Sequence, residues 1–341
     1  MTADEQAFVW LAADATSILQ GTTQMMRPKS GSVEPALGPD NSCLACLSRR
    51  VKVAFFVESC RFFRCQDCKT LYCDPQRRFG DLSSYHGGDS SHFYNAYYDS
   101  LRSSQSTEIL RGLRELLPPP AKLLDIGCGN GLFVEMAAAA GYESRGIDTS
   151  LPPRNALHAG DRLSQQAADM EAQSGRAYDV VCAFNVLEHI PTPDDFLDVV
   201  SKLLRPGGVF ACAMPLSSGM IYRSCEAFYR VTCGTGAIPL KTVLQWHMAA
   251  PHVFLPTLRG LEHVMRRHFG AAIEGMRSQR IVDVRHLSKR IALEKKQRPV
   301  GAWEHMVLTC GGHVLGVVGA ISAQRGWPDE VFFFVKRATN A

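Results

Sequence analysis

The sequence predicts an α/β protein whose parallel sheet carries helices on both faces, preceded by a small cysteine-rich module. Three observations lead there. From Lys122 onward, short apolar runs alternate with stretches of helical spacing, the pattern left by crossover connections between parallel strands. One of those runs enters a loop with glycine at every second position, Gly127, Gly129 and Gly131, and a helical pattern begins directly after it. Finally, six of the twelve cysteines fall between Cys43 and Cys73.

Composition narrows the class further. The chain has 341 residues, is 46% hydrophobic and 21% charged, and balances 37 basic against 33 acidic side chains for a net charge of +4. Those values belong to a globular protein and exclude global disorder, a fibrous repeat and a coiled coil. The excess charge is too small for a dedicated nucleic-acid binder. A secreted disulfide scaffold would be shorter and would carry a signal peptide. The start MTADEQAF is acidic, and the apolar stretch Phe8–Ala13 is too short for a signal core. A reducing, cytoplasmic setting with a local metal site is the expectation. The scattered Cys128, Cys182, Cys212, Cys225, Cys233 and Cys310 then read as small buried apolar side chains.

Along the chain, residues 1–41 read as an N-terminal extension, with a short helix through Phe8, Leu11 and Leu19, followed by a linker rich in Pro, Gly and Ser. Residues 42–80 form the cysteine module. Residues 81–120 combine an aromatic stretch, HFYNAYYDSL, with a helical one, EILRGLRELL, which Pro118, Pro119 and Pro120 terminate. From 121 the strands are KLLDIG, SRGID, RLSQQAAD, YDVVCAF and GVFACAMP, with helices in GLFVEMAAAAG and PDDFLDVVSKLL. Regularity weakens over 216–256, an insertion. A helix, TLRGLEHVMRRHFG, a strand, AAIEGM, a basic run, RHLSKRIALEKKQR, and a final strand, VFFFVKRA, complete the last domain, 121–341. The apolar stretch Met306–Ala323 is long enough to span a bilayer. It contains His313, Thr309, Ser322 and four glycines, so it reads as a buried or interfacial helix, with peripheral membrane contact left open and no transmembrane span expected.

Cys43-x2-Cys46 and Cys65-x2-Cys68, separated by eighteen residues, form a metal pattern. Each pair bends the backbone so that two sulfurs face one ion, and two such knuckles supply the four thiolates of a tetrahedral, structural zinc site. The intervening VKVAFFVESCRFFRC reads as the strands of a zinc ribbon. Cys60 and Cys73 lie close by with less suitable spacing.

In the glycine loop, backbone N–H groups can approach a ligand closely, and the helix N-terminus that follows favours a negative group. A second strand ends at Asp148, a carboxylate suited to ribose hydroxyls. The dinucleotide fingerprint G-x-G-x-x-G is not met, since the third glycine comes one residue early and Leu132 stands where a small residue belongs. The segment instead reads D-x-G-x-G-x-G from Asp125. In this it resembles the class I S-adenosylmethionine-dependent methyltransferases, closely over about 120–216 and more loosely over 250–338. The resemblance implies a Rossmann-like seven-stranded sheet with helices on both faces. It also implies that Asp125 and the three glycines hold the methionine part of the cofactor. Asp148 would take the ribose, Asp169 and Met170 would flank the adenine, and Asn185 would lie near the transferred methyl. Some members begin with two such cysteine knuckles and an aromatic segment that folds over the cofactor. By that resemblance Tyr94, Tyr97 and Tyr98 are candidates for a cofactor lid, with Tyr98 contacting the methionine carboxylate.

A methyltransferase must align its acceptor with the S–CH3 bond and remove a proton where the acceptor needs it. In LEHIP, after the fourth strand of the sheet, His189 is the candidate base and Glu188 its neighbour, at the sheet edge where ligands bind in open α/β folds. In the insertion, His247, His252, Tyr222, Arg223, Tyr229 and Trp246 are unranked candidates for the acceptor pocket. The expected reaction is methylation of a small molecule, at oxygen first, with carbon or nitrogen as alternatives. Two other readings compete: an RNA methyltransferase with a zinc reader, favoured only by the basic run at 289–298, and a non-catalytic protein that keeps the fold.

Overall fold

Apolar alternation in the cofactor half resolves into a sheet with two buried faces. In the computed structural model of the chain, the described residues are 42–58, 60–74, 96–152, 157–246, 250–279, 310, 317 and 328–339, with 96–98 described in backbone only. Seven strands form the main sheet: β4 (Lys122–Ile126), β5 (Glu143–Asp148), β6 (Leu163–Gln165), β7 (Tyr178–Phe184), β8 (Leu204–Pro215), β10 (Ile273–Gln279) and β11 (Glu330–Lys336). Their order is β10-β11-β8-β7-β4-β5-β6. β4 to β8 are mutually parallel where they pair, while β11 runs antiparallel to both β8 and β10. The order reverses between β4 and β7, and ligands of such sheets bind beyond the carboxyl ends of the strands at that point.

Successive residues of the central strands point to opposite faces, so each strand feeds two cores. Leu124, Ile126, Val181 and Ala183 face α4 (Pro193–Leu203) and α7 (Leu258–Phe269), where Leu197, Val200, Leu261 and Phe269 are buried. Leu123, Val180 and Cys182 face α1 (Ala96–Leu116) and α2 (Leu132–Ala139), through Ile109, Leu113, Phe133 and Ala137. The caps follow local chemistry. Pro193 opens α4 with Asp194 and Asp195 in its first turn, where negative charge suits the helix dipole. Thr257 accepts the Gly260 N–H at the start of α7, and Gly270 ends that helix at φ 67°.

The cysteine module forms a second sheet, β1 (Val51–Val57), β2 (Cys60–Cys65) and β3 (Leu71–Cys73), completed by β9 (Phe254–Leu255) from the far side of the insertion. It sits against the methyltransferase half on both sides. Arg267 of α7 donates to the Ala45 carbonyl at 2.6 Å, and Thr257 donates to the Cys68 carbonyl. Gly260 lies so close to Thr70 that a Cβ would fall 2.1 Å from its hydroxyl oxygen. On the opposite face, α5 (Met220–Val231) and α6 (Ile238–Val243) bury Ile221, Tyr222, Cys225 and Leu240 against Phe55, Phe62 and Leu71. All described residues belong to one compact unit, Leu37–Ala341.

No helix among the described residues is long and apolar enough to cross a membrane. The expected helix and linker of 1–41, Tyr94, His247 and the basic run lie outside the described residues, as does the stretch 306–323 apart from Cys310 and Val317. The burial expected of the scattered cysteines fails at two of them. Cys233 and Cys310 are exposed; Cys233 sits in the turn after α5 at φ 48°, outside any strand or helix that would pack it into a core.

Candidate functional site

A cavity of about 700 Å3 opens at the carboxyl ends of β4, β5 and β7, within the range of small-molecule sites. Asp125, the last residue but one of β4, borders it and is almost wholly buried. Its Oδ1 has no hydrogen-bond partner among the described residues. Burial, and then the neighbouring Asp148 charge, push this carboxyl well above the usual carboxylate range. Asp148, at the end of β5, accepts the Gly129 N–H at 3.0 Å and the Ser150 N–H at 3.0 Å. One carboxylate thus pins the glycine loop while bordering the cavity.

The glycines serve the loop in different ways. Gly127 borders the cavity at φ 74°, and a Cβ there would meet Val186 Cγ2 at 2.5 Å. Gly131 caps α2 at φ 79° against Leu163. Gly129 and Gly131 do not border the cavity; Cys128, Asn130 and Leu132 do. An orphaned buried carboxyl oxygen, a cavity-lining glycine at Gly127 and a ribose-type acid at the next strand end fit S-adenosylmethionine.

At the adenine side, Asp169 borders the cavity from the first turn of α3 (Ala168–Gln173), beside Gln166 and Ala167. Met170 does not: it is 58% exposed. The helix begins at Ala168, and one further residue turns the side chain about 100° away from the cavity. Tyr97 and Tyr98 lie in α1, where only their backbone is described. The helix instead brings Arg102, Gln105, Ser106 and Ile109 to the cavity, a stripe at i, i+3, i+4 and i+7. That spacing is present in the sequence, but Arg102, Gln105 and Ser106 are polar, so it does not stand out as an apolar face.

The opposite wall is built from the segment after β7. Asn185, at φ 56°, donates through Nδ2 to Glu188 Oε1 at 3.3 Å and to Glu330 Oε1 at 3.0 Å. Glu188 is fully buried and its Oε2 has no hydrogen-bond partner among the described residues. Burial raises its carboxyl to about 8, so it is protonated near neutrality. His189 also borders the cavity. Its Nδ1–H donates to the Pro251 carbonyl at 3.2 Å, which leaves the lone pair on Nε2. Burial lowers this imidazole to about 4, so it is neutral.

His252, 63 positions along the chain, stands beside this pair. Its ring lies 5.0 Å from that of His189 in an edge arrangement. Tyr222 donates to the Val243 carbonyl at 2.7 Å, so the hydroxyl oxygen accepts His252 Nδ1–H at 2.7 Å. Glu188, His189 and His252 each offer one ligand atom within 4.8 Å of the others. Such a set can pass a proton or take a divalent cation. Sequence separation hid this meeting. Of the other insertion candidates, Tyr222, Arg223, Tyr229 and Trp246 do not border the cavity, whereas Gln245 and Ala250 do. The reason is that α5 and α6 are taken up by the cysteine module: Trp246 packs on Phe62, and Tyr229 donates to the Phe56 carbonyl at 2.7 Å.

Cys43, Cys46, Cys65 and Cys68 converge in that module. The sulfurs of Cys43 and Cys68 are 3.6 Å apart, as are those of Cys46 and Cys65. All four lie within 4.8 Å of one another. The Ala45 and Asp67 N–H groups donate to the first sulfur of their respective knuckles at 3.4 and 3.3 Å. Hydrogen bonding from Cys43 holds the Cys68 thiol down at about 4. The donor set and its spacing fit a zinc ion. Cys60 and Cys73 are not part of the group.

Residues 98–274 match the family described as a methyltransferase domain. A ubiquinone biosynthesis O-methyltransferase of Vibrio atlanticus is 37% identical over 95 residues, 26% of this chain and 40% of its own length. One from Burkholderia orbicola is 36% identical over 95 residues, 26% and 41% of the two lengths. The match therefore spans about two fifths of these curated relatives. Among solved structures, a cyclopropane synthase from Mycobacterium tuberculosis is 18% identical, with a TM-score of 0.47 over 76% of this chain and 98% of the other. With the family matched over 98–274, and the sheet order and glycine loop already described, the chain belongs to the methyltransferase-domain family and is a class I S-adenosylmethionine-dependent methyltransferase.

Proposed function

We propose that the chain methylates a hydroxyl oxygen of a small molecule, as a step in a secondary-metabolite, quinone or sugar biosynthesis. The observation that carries this reading is His189. It is a neutral imidazole in the cavity wall, with Nδ1 committed to the Pro251 carbonyl and the lone pair on Nε2. A hydroxyl acceptor must lose its proton as its oxygen takes the methyl. An imidazole held at about 4 is a weak base, suited to acidic hydroxyls such as phenols and enols, and contributes toward the low end of the about 10²–10⁴-fold a positioned base supplies. The local likeness to ubiquinone biosynthesis O-methyltransferases supports oxygen over carbon or nitrogen.

In this reading the bound cofactor supplies an electrophilic sulfonium methyl. Asp125 takes the methionine ammonium, Asp148 the ribose hydroxyls, and Asp169 the adenine side. The cavity-facing stripe of α1 covers the bound molecules, which supports treating 81–120 as a lid over the 121–341 domain. His189 Nε2 accepts the hydroxyl proton, with Glu188 orienting Asn185. The four knuckle cysteines hold a structural zinc in 42–80, and four thiolates leave no open position for chemistry.

The test is transfer from methyl-labelled S-adenosylmethionine to a panel of phenols, enols and sugar hydroxyls, with the labelled atom located by mass spectrometry and NMR. Label on oxygen supports the reading. Label on carbon or nitrogen overturns it, as does full cofactor binding with no transfer to any hydroxyl.

A further inference from the structure

The six cysteines of the module sort by the distance between their sulfurs. Four thiolates around a zinc ion at about 2.3 Å define a tetrahedron with edges of about 3.8 Å, and the 3.6 Å separations of Cys43–Cys68 and Cys46–Cys65 are of that size. Cys60 and Cys73 are different: their sulfurs are 3.1 Å apart, too close for two thiolates on one tetrahedral ion. A disulfide needs about 2.05 Å, so a movement of about 1 Å separates this pair from a bond. Their surroundings are apolar, with Phe55, Val57, Phe62 and Leu71 from the module and Ile221 and Cys225 from α5.

Their place in the fold gives the closeness a use. Cys60 is the first residue of β2 and Cys73 the last of β3, and the two strands pair antiparallel with Phe62 opposite Cys73. The far end of the hairpin carries Cys65, the last residue of β2, and Cys68, in the turn that follows. The pair therefore lies at the base of the hairpin that presents the second metal knuckle.

We propose that Cys60 and Cys73 form a thiol–disulfide couple that staples the base of the knuckle hairpin, with low-molecular-weight disulfides of the oxidised-glutathione class as oxidant. One cysteine loses its proton to solvent and attacks a sulfur of the small disulfide, breaking that bond and releasing one small thiolate. The second cysteine, also deprotonated, attacks the resulting mixed disulfide and releases the other. The released thiolates take up the two protons. Two protein thiols are oxidised, and one small disulfide is reduced to two thiols. Both side chains are 2% exposed, so exchange waits on opening of the strand ends, beside the turn at Glu58 (φ 54°). Once closed, the staple keeps Cys65 and Cys68 in register whether or not a metal is bound.

The experiment uses the full chain purified with its zinc. Samples are equilibrated across ratios of reduced to oxidised glutathione, quenched by alkylation, and mapped by peptide mass spectrometry, with zinc measured in parallel. The couple predicts that two thiols disappear together, that a Cys60–Cys73 cross-linked peptide appears, and that zinc stays bound. Cys60→Ser and Cys73→Ser should lose the cross-link and keep the zinc. The proposal is overturned if both cysteines stay alkylatable at the most oxidising ratio, or if cross-links join Cys43, Cys46, Cys65 or Cys68 with zinc released. Loss of zinc from either folded serine variant would also overturn it, by making that residue a ligand. If a variant does not fold, the wild-type peptide map decides alone.

Discussion

The backbone N–H of Val253 donates to the carbonyl of Glu188 at 2.7 Å. The Val253 carbonyl in turn accepts the Cys73 N–H at 2.7 Å. Two backbone hydrogen bonds thus run from the last strand of the cysteine module to the residue that borders the cavity beside His189. No described residue of the module lines the cavity; the module braces from behind the wall that Glu188 borders. Val253→Pro removes the first of these bonds while leaving every cavity side chain in place. It should destabilise the fold by about 1–3 kcal/mol and lower turnover, with cofactor affinity changed much less. Denaturant unfolding, kinetics and calorimetry on one preparation check this. Unchanged turnover would show that the strand does not position Glu188.

His189 is expected to act in the chemical step. His189→Ala should lower kcat by about 10²-fold, the low end of the range because the imidazole is held at about 4, while the cofactor dissociation constant stays within a few-fold. Steady-state kinetics with the best acceptor measures the first, and calorimetry the second. A kcat close to wild type would remove His189 as the base.

Glu188 gives stability a pH dependence of known sign. Its carboxyl titrates at about 8 in the fold, against an ordinary value of 4.5. Between those values the native state binds a proton that the unfolded chain has released. Its contribution is therefore complete below 4.5 and lost as pH rises through about 8. His189 has the opposite sign. Lowered to about 4 from 6.5, it contributes fully above 6.5 and loses that contribution as pH falls towards 4. Thermal unfolding from pH 6 to 9 should show wild type losing stability on the alkaline side, and Glu188→Gln, which cannot ionise, losing less. Parallel curves would mean that Glu188 is already ionised near neutrality.

Gly127→Ala tests the loop's geometry. The new Cβ meets Val186 Cγ2 at 2.5 Å and must sit at φ 74°. The left-handed conformation alone costs about 1–2 kcal/mol. Adding Val186→Ala removes the clash and leaves the backbone cost, so the double variant should recover only part of the lost stability in denaturant titrations. Full recovery would assign the whole cost to the clash.

Where a physical requirement acts locally, it could be read from the chain. The central strands β4, β7 and β8 are buried on both faces and therefore appear as apolar runs. The glycine loop needs φ values that only glycine adopts easily, and the knuckles need their C-x2-C spacing. What could not be read is long-range or very short. β9 is two residues, Phe254 and Leu255, too few to show a period, yet it completes the module's sheet. His252 meets Glu188 and His189 only because β9 brings the chain back past them. Met170 followed the resemblance to the family and not the helix phase, which turns it outward. The i, i+3, i+4, i+7 stripe of α1 from Arg102 to Ile109 is mostly polar, and nothing in the sequence says which surface such a stripe covers.

The most direct measurement is calorimetric titration of S-adenosylmethionine into the full chain and into Asp148→Ala. The geometry predicts saturable binding to wild type and about tenfold or greater weakening in the variant. That is the scale of losing charge-assisted hydrogen bonds of about 1.5–3 kcal/mol, both to the ribose and to the Gly129 N–H. No binding to the wild-type chain, or equal affinity for a folded Asp148→Ala, would contradict a cofactor site at the ends of β4 and β5.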